Sequence, residues 1–535
     1  FPPHMRAKTP GPVAIDGMTA VKRPSSLPLR IRPAALVAWA MATQFAVPPL
    51  LAGIATLTVD RFDDPTPIES ACTGAPNDCS LRGAVQAANT TAGNDSIFVP
   101  SGTYLLTRAG NGEEFNSTGD LDIYASGDGL IVEGDSVDPP TIEQTTDDGI
   151  FHIHSLVADV TLRDLVLTGG DSPGHGGAIN SFRNESLTLE RMVFRNNHAA
   201  QFGGCVSRAD SNAGNFTVTD SQFAGCTAGI DSGALRLDAS PSPFQDSISD
   251  CQFLGNSAPI GGAAYLIGWN FIRINDSVFV GNQALSSTIA AGGSLAIAGV
   301  AATVERVSFV DSAVGPPESL NAYGGALYMT PFSDDPPLVD LINVTIARST
   351  AESTTLARGA AIYLADSDLD LWHVTVSDSR TNGQHAIFAQ GSSGPGSSVD
   401  FDSTIIDGGC ASQGTVTLTS GAYNVEKPWD GTTTSTCNLS GASGDVITNG
   451  SLGLGPPAIY GGPAGVWTQA LLPGSPAAGL VASTDCAPDD ARTAVRAFLF
   501  CAAGAFESSA VVVPGPWIFA DGFSSGDALA WSDTQ

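Results

Sequence analysis

Lysine is almost missing from this chain. Lys8, Lys22 and Lys427 are the only three in 535 residues, and charged residues of all kinds make up 14%. Acids dominate what charge there is, 54 against 23 basic residues, for a net −31. Residues 1–55 hold six of the basic residues and one acid, so the remainder carries 17 basic and 53 acidic residues, net −36. Such a surface repels phosphate backbones and anionic lipid, which excludes nucleic-acid and membrane-surface partners. It also repels polyuronates, and one remaining lysine leaves little to act as a base beside a uronate. No Cys-x-x-Cys or Cys/His grouping has the spacing of a structural metal site. Walker and Ser-His-Asp patterns are missing. Across the middle of the chain no window carries a helical stripe, and the last third has no run of ten-residue alternating strands, which argues against a membrane barrel of its own.

What is present is a glycine pair that returns at a nearly constant interval. It stands at Gly176-Gly177, Gly203-Gly204, Gly261-Gly262, Gly292-Gly293 and Gly324-Gly325, with degenerate copies at Ser232-Gly233 and Arg358-Gly359. The steps are 27, 29, 29, 31, 32 and 34 residues. A period of this size means a solenoid. Each pair leads into a short apolar run such as Ala178-Ile179 or Ala326-Leu327-Tyr328. A strand-like alternation follows, as in Leu187, Leu189, Val193 and Phe194. The unit closes on a large apolar residue and, three positions on, a small or polar one: Phe194 and Asn197, Phe223 and Cys226, Phe253 and Asn256, Phe279 and Asn282.

Alternation with period two is a half-buried strand. About three strands per repeat, separated by Gly, Asn, Asp and Ser turns, predict an all-β right-handed single-stranded parallel β-helix. Roughly 11–14 rungs would stack about 4.8 Å apart. Apolar columns fill the core, glycines supply the turns, and asparagines form amide ladders from rung to rung. The lengthening interval predicts loops that bulge from one corner, where repeat proteins often carry their working surface.

Both ends of a solenoid need a cap. Residues 80–92 read as a helix, with Ser80 as N-cap, Leu81, Ala84, Val85 and Ala88 on one face, and Gly93 as the stop. Residues 56–93 form the N-terminal cap, 94–470 the β-helix, 471–510 a closing segment, and 511–535 a linker and short tail. The first 55 residues read as an export signal. Lys22, Arg23, Arg30 and Arg32 precede an apolar stretch ending Gly53-Ile54-Ala55, with initiation at Met5 or Met18. A retained anchor helix is the competing reading, and Gln44 and Pro48-Pro49 argue against it. Export places the nine cysteines in an oxidising compartment. The local pairs are Cys72–Cys79, Cys410–Cys437 and Cys486–Cys501. Cys205, Cys226 and Cys251 fall in consecutive repeats, and the odd count leaves one buried thiol.

The stretch Cys79-Ser80-Leu81-Arg82-Gly83-Ala84 resembles the Cys-Ser-Leu-Arg-Glu-Ala signature of the CSLREA-domain proteins, exported bacterial β-helix proteins. The likeness continues through Pro100-Ser101-Gly102-Thr103-Tyr104 and Gly119-Asp120-Leu121-Asp122-Ile123. Gly83 stands where the signature has Glu. A Glu there would return a bond to the Ser80 backbone, so a cap weaker by about 1–2 kcal/mol is expected. The repeats resemble those of the polymorphic outer-membrane adhesins. Leu472 to Ala477 and Cys486 to Glu507 resemble the closing segment called choice-of-anchor Q, although Asp489-Asp490-Ala491-Arg492 replaces its Asp-Gln-Arg-Gly. Asp521-Gly522-Phe523-Ser524-Ser525-Gly526-Asp527 is similar to a short tail of exported Gram-negative proteins. These resemblances imply a secreted or outer-cell-surface protein of a Gram-negative bacterium.

The fold is also that of pectate lyases and polygalacturonases, and fold alone does not decide activity. Gly174-His175-Gly176 with Asp147-Asp148 resembles the catalytic elements of polygalacturonase-type hydrolases. Their Asn-Thr-Asp element is missing, and their Arg-Ile-Lys reads Arg273-Ile274-Asn275. Three or more carboxylates converging around His175 would mark an enzyme. Glu113, Glu114, Asp120 and Asp122 offer hard oxygen ligands for Ca²⁺, with a solvated acidic loop as the alternative. Tyr265, Trp269, Tyr328, Tyr363 and Trp372 are candidates to stack on sugars. The reading adopted is a monomeric, non-catalytic, adhesin-like binding protein whose partners are extracellular glycans or surface proteins. The alternative is a polysaccharide hydrolase or lyase.

Overall fold

The computed structural model describes residues 56–508 apart from 125–127, 156, 184–185, 210–213, 240–244, 269–270, 316–318, 334, 382–384, 393–395, 441–442 and 498. The export signal read in 1–55, the linker and tail read in 511–535, and Trp269 lie outside the described residues.

The alternating segments form strands that stack in parallel, each on its counterpart one turn later. Sheet 1 has 13 strands, from Thr56–Thr58 to Val416–Ala422. Sheet 2 has 13, from Thr103–Leu106 to Val446–Ile447. Sheet 4 has 11, from Leu121–Ile123 to Cys410–Gly414. Between sheets 2 and 4 lies sheet 3, eight strands of two residues each, from Asp171–Ser172 to Arg380–Thr381. The chain visits sheets 1, 2, 3 and 4 in turn and begins again. This is a right-handed parallel β-helix, the hand that crossovers between parallel strands adopt. The expected three strands per turn become four, because the residues between the Phe-x-x-Asn element and the glycine pair also pair with their neighbours.

The two glycines of each pair are there for different reasons. The first adopts a left-handed backbone, with φ of +62° at Gly176, +64° at Gly203 and +61° at Gly261. The second has no room for a side chain: a Cβ on Gly204 would stand 2.1 Å from the carbonyl oxygen of Gly233, one rung on. The last copy is shifted by one residue from the sequence reading. Gly359 takes the left-handed place (φ +65°), and Ala360 stands in the second.

The core is built from columns. Phe194, Phe223, Phe253, Phe279 and Phe309 stack ring on ring, with centroids 4.7, 4.7, 4.5 and 4.9 Å apart. Beside them Asn256 and Asn282 form a buried amide ladder. Asn282 Oδ1 accepts from the backbone and side-chain amides of Asn256 at 2.9 and 3.0 Å. The ladder breaks at Cys226, which is bonded to Cys205. The other disulfides join Cys72 to Cys79, Cys410 to Cys437 and Cys486 to Cys501, and Cys251 is the buried free thiol.

At the front, helix Leu81–Thr90 packs its buried Leu81, Ala84, Val85 and Ala88 onto strands Asp95–Val99 and Leu121–Ile123. Ser80 Oγ accepts from Gly83 N–H at 3.1 Å. The bond expected to be missing at Gly83 is supplied from elsewhere. Ser70 Oγ accepts from the Ser80 N–H at 2.7 Å, taking the bond a Glu would have made. It stands where a side chain would begin, 2.1 Å from an ideal Cβ on Gly83. Strand Thr56–Thr58, from the region read as cap, already pairs with sheet 1.

Parallel stacking ends at Val446–Ile447 rather than near 470. Leu454–Ile459 and Trp467–Leu471 form an antiparallel hairpin. The hairpin and the closing segment lie along the outside of sheet 2. Trp467 N–H donates to Ser308 Oγ at 3.1 Å, Ala505 N–H to Thr375 Oγ1 at 3.0 Å and Gly504 N–H to the Ser403 carbonyl at 2.7 Å. The last rung is instead covered by the loop after Lys427, where buried Glu426 accepts from Thr436 N–H at 2.8 Å. Among the described residues no helix is long and apolar enough to cross a membrane.

Candidate functional site

Sheet 4 turns alternate residues outward, and their register makes them columns. Leu235, Leu237, Leu266, Leu327 and Leu364 are buried, so Arg236, Tyr265, Tyr328, Tyr363 and Phe388 share the outer face. Ala296 separates Tyr265 from Tyr328 in the same column. Tyr328 stacks on Tyr363 at 5.6 Å and 8°, and Tyr363 on Phe388 at 5.9 Å and 9°.

A second column stands at the corner, on the residue before each turn. Its members include His175, Phe202, Asp231, Tyr323 and Arg358. Here the turns lengthen, and the added residues build a small parallel sheet from Ile289–Ala291, Asn321–Tyr323 and Leu356–Arg358. The bulging corner expected from the growing interval is this sheet. It seats on Ala290, Ala322, Ala357 and their apolar neighbours and flanks the outer face of sheet 4. Tyr323 lies 4.8 Å from Tyr363. The Arg358 guanidinium sits 4.4 Å from the Phe388 ring centre and donates to Gln390 Oε1 at 2.6 Å.

The two columns interlock at Arg236. Its guanidinium lies 5.0 Å from the ring centres of both Phe202 and Tyr265, in cation–π contact. It also bonds Asp231 at 2.6 Å and Asp238 at 2.7 Å. His175 stacks flat on Phe202 at 4.9 Å. Burial, then the Arg236 charge, lowers the His175 pKa below that of a free imidazole. Burial pushes Tyr265 and Tyr363 up to about 12, so their hydroxyls stay protonated.

The hydrolase-like set does not assemble. Asp147 is exposed. Asp148 is buried and spends its oxygens on the backbone N–H groups of Gly149 (2.8 Å) and Asp120 (3.3 Å). The carboxylates that act on His175 are Asp231 and Asp238, and both are held by Arg236. Trp372 is on sheet 1, where its Nε1–H donates to the Asp485 carbonyl at 3.4 Å beneath the closing segment.

The four acids read as a calcium set are divided. Glu113 folds back on its own loop and accepts from Ser117 and from Thr118 N–H. Burial, and then the charges of Asp122 and Asp148, push Asp120 well above the usual carboxylate range. Glu114 and Asp122 meet two histidines not anticipated from sequence, His152 and His154. Asp122 pairs in register with His152 one rung on, and strand alternation puts His154 on the same face. His154 Nε2 lies 2.8 Å, and His152 Nδ1 3.4 Å, from Asp122 Oδ1. Both Nδ1 atoms lie 3.5 Å from Glu114 Oε2. Burial alone would raise Asp122, but hydrogen bonds from His152, His154 and the Asn116 N–H hold it below the usual value.

No family model and no curated protein matches this sequence. Among solved structures, the crystal structure of pectate lyase Pel9A is similar at 11% identity over 85% of this chain and 98% of that one, with a TM-score of 0.37. A likeness of that size carries no argument about activity, and the stacked sheets themselves define the fold.

Proposed function

We propose that this chain is an exported, adhesin-like β-helix protein that binds an extended, uncharged glycan along the outer face of sheet 4 without turning it over. The observation that carries the reading is the column of Tyr265, Tyr328 and Phe388, with the buried Tyr363 between the last two and Tyr323 and Arg358 beside it. Stacked on one another, these rings present their edges and phenol tips, which meet the C–H groups of a sugar while phenol and guanidinium groups bond its hydroxyls. The rungs repeat about every 4.8 Å, close to the rise of one pyranose in an extended chain. The strong negative charge favours uncharged polymers over uronates.

Binding is favoured over hydrolysis or elimination because Asp231 and Asp238 are committed to Arg236 rather than poised across an open space. Export is supported by four disulfides among the described residues. A CSLREA-type front is supported by the Ser80-capped helix on the first rungs, and a choice-of-anchor Q type of closing segment by the Cys486–Cys501 bridge. A Gram-negative cell surface or its medium is the setting these features fit.

The test is a glycan array probed with the purified chain and with Tyr328→Ala. Retention on neutral β-linked polysaccharides, reduced at least tenfold in the variant, is the expected result. No retention by the wild type, or new reducing ends or unsaturated products released from any bound polymer, would overturn the proposal.

A further inference from the structure

We infer that Glu114, Asp122, His152 and His154 form a binding site for one divalent transition ion of the zinc class. This inference is independent of the glycan reading. One donor atom from each residue lies within 4.8 Å of all the others. A tetrahedral ion with bonds of about 2.0–2.2 Å separates its ligand atoms by roughly 3.3–3.6 Å. Two of the separations found here have that length, 3.4 Å from His152 Nδ1 to Asp122 Oδ1 and 3.5 Å from the same nitrogen to Glu114 Oε2. His154 turns Nδ1 toward Glu114 at 3.5 Å and Nε2 toward Asp122 at 2.8 Å, and gives an ion one of the two; where Nε2 serves, the hydrogen bond to Asp122 is the contact an entering ion must open.

The donor set speaks against calcium. Ca²⁺ takes six to eight oxygens, whereas two imidazoles and two carboxylates suit zinc and its neighbours. Glu113 and Asp120, which would have completed an oxygen site, face elsewhere.

The ligands are held before any ion arrives. Asp122 has a fully buried side chain, and its Oδ2 accepts from the Asn116 N–H at 2.8 Å, leaving Oδ1 toward the histidines. Asn116 is fixed in turn by a 2.9 Å bond from its Nδ2 to the Arg82 carbonyl. The His152 and His154 rings lie 4.1 Å apart, and Tyr124 closes edge-on against His154 at 6.1 Å. Such outer partners orient ligands and tune affinity. Only Glu114 is half-exposed, on the loop that precedes Asp122, so ion binding would fasten that loop to the first two rungs.

The test is calorimetric titration of the chelator-treated full-length chain with ZnCl₂ and, separately, CaCl₂ at pH 7.5, alongside thermal unfolding. One equivalent of zinc at micromolar affinity or tighter, a raised Tm and no competition by calcium are expected. His152→Ala should weaken binding about 100-fold, and Asn180→Ala, one rung further along the column, should leave it unchanged. Glu114→Gln, on the exposed loop, should weaken it at least tenfold and serves if the histidine variant misfolds. Absence of saturable zinc binding, tighter binding of calcium, or unchanged affinity in Glu114→Gln would overturn the inference.

Discussion

The ring of Phe223 lies 4.7 Å from that of Phe253, with 2° between their planes. Each is fully buried and each belongs to a different turn of the coil. Removing one ring therefore opens a void between two rungs that cannot collapse without breaking the register of their neighbours. Phe253→Ala is expected to cost about 3–5 kcal/mol in equilibrium urea unfolding, and Phe253→Leu clearly less.

Gly83→Glu would complete a capping box with Ser80, and on capping alone it would stabilise the helix. Here it should destabilise, because Ser70 occupies the space and already makes the bond. A lower Tm for Gly83→Glu, partly recovered in the Ser70→Gly/Gly83→Glu double variant, is expected by differential scanning calorimetry.

Asp250 sits at a left-handed corner position (φ 54°), with Asp220 and Asp276 in the rungs on either side. Burial, then the Asp276 and Asp220 charges, raise its pKa from 3.8 to about 6, against the pull of Arg306. The folded protein thus holds this proton more tightly than the unfolded chain. The favourable contribution is complete below about pH 4 and is lost as pH rises through 6. Asp250→Asn, which also tolerates the left-handed backbone, should stabilise by about 1 kcal/mol at pH 7.5 once solvent screening is included, and by little at pH 4. Urea unfolding at the two pH values measures the difference.

Arg496 anchors the closing segment from a buried position. It donates to the carbonyls of Asp489, Ala502 and Gly504 and to Asn343 Oδ1, at 2.7 to 3.0 Å. Arg496→Ala leaves those acceptors unpaired at a cost of several kcal/mol. Limited proteolysis should then cut within 472–500 at least tenfold faster, while circular dichroism still reports the rungs.

The coil was legible because stacking imposes a period on the chain. Gly203, Gly261 and Gly292 recur where the backbone must turn left-handed, and Phe194 to Phe309 recur where rings must stack. The short strands of sheet 3 were not, since two residues are too few to display an alternation. The hairpin formed by Leu454–Ile459 and Trp467–Leu471 escaped because alternation does not encode strand direction. The histidine site escaped for a different reason. Asp122 and His154 are 32 residues apart and meet only because one turn of the coil separates them. The available signal was the His152-x-His154 alternation, 30 residues after Asp122 and so within the range of the repeat.

The closing segment touches Ser308, Asn343, Thr375 and Ser403, which belong to four successive turns. During synthesis those turns emerge first. The clasp made by Trp467, Arg496, Gly504 and Ala505 has nothing to grip until all four are wound in step. Its docking therefore works as an inspection of the finished coil, and a chain with one turn slipped is left with a loose, cleavable tail.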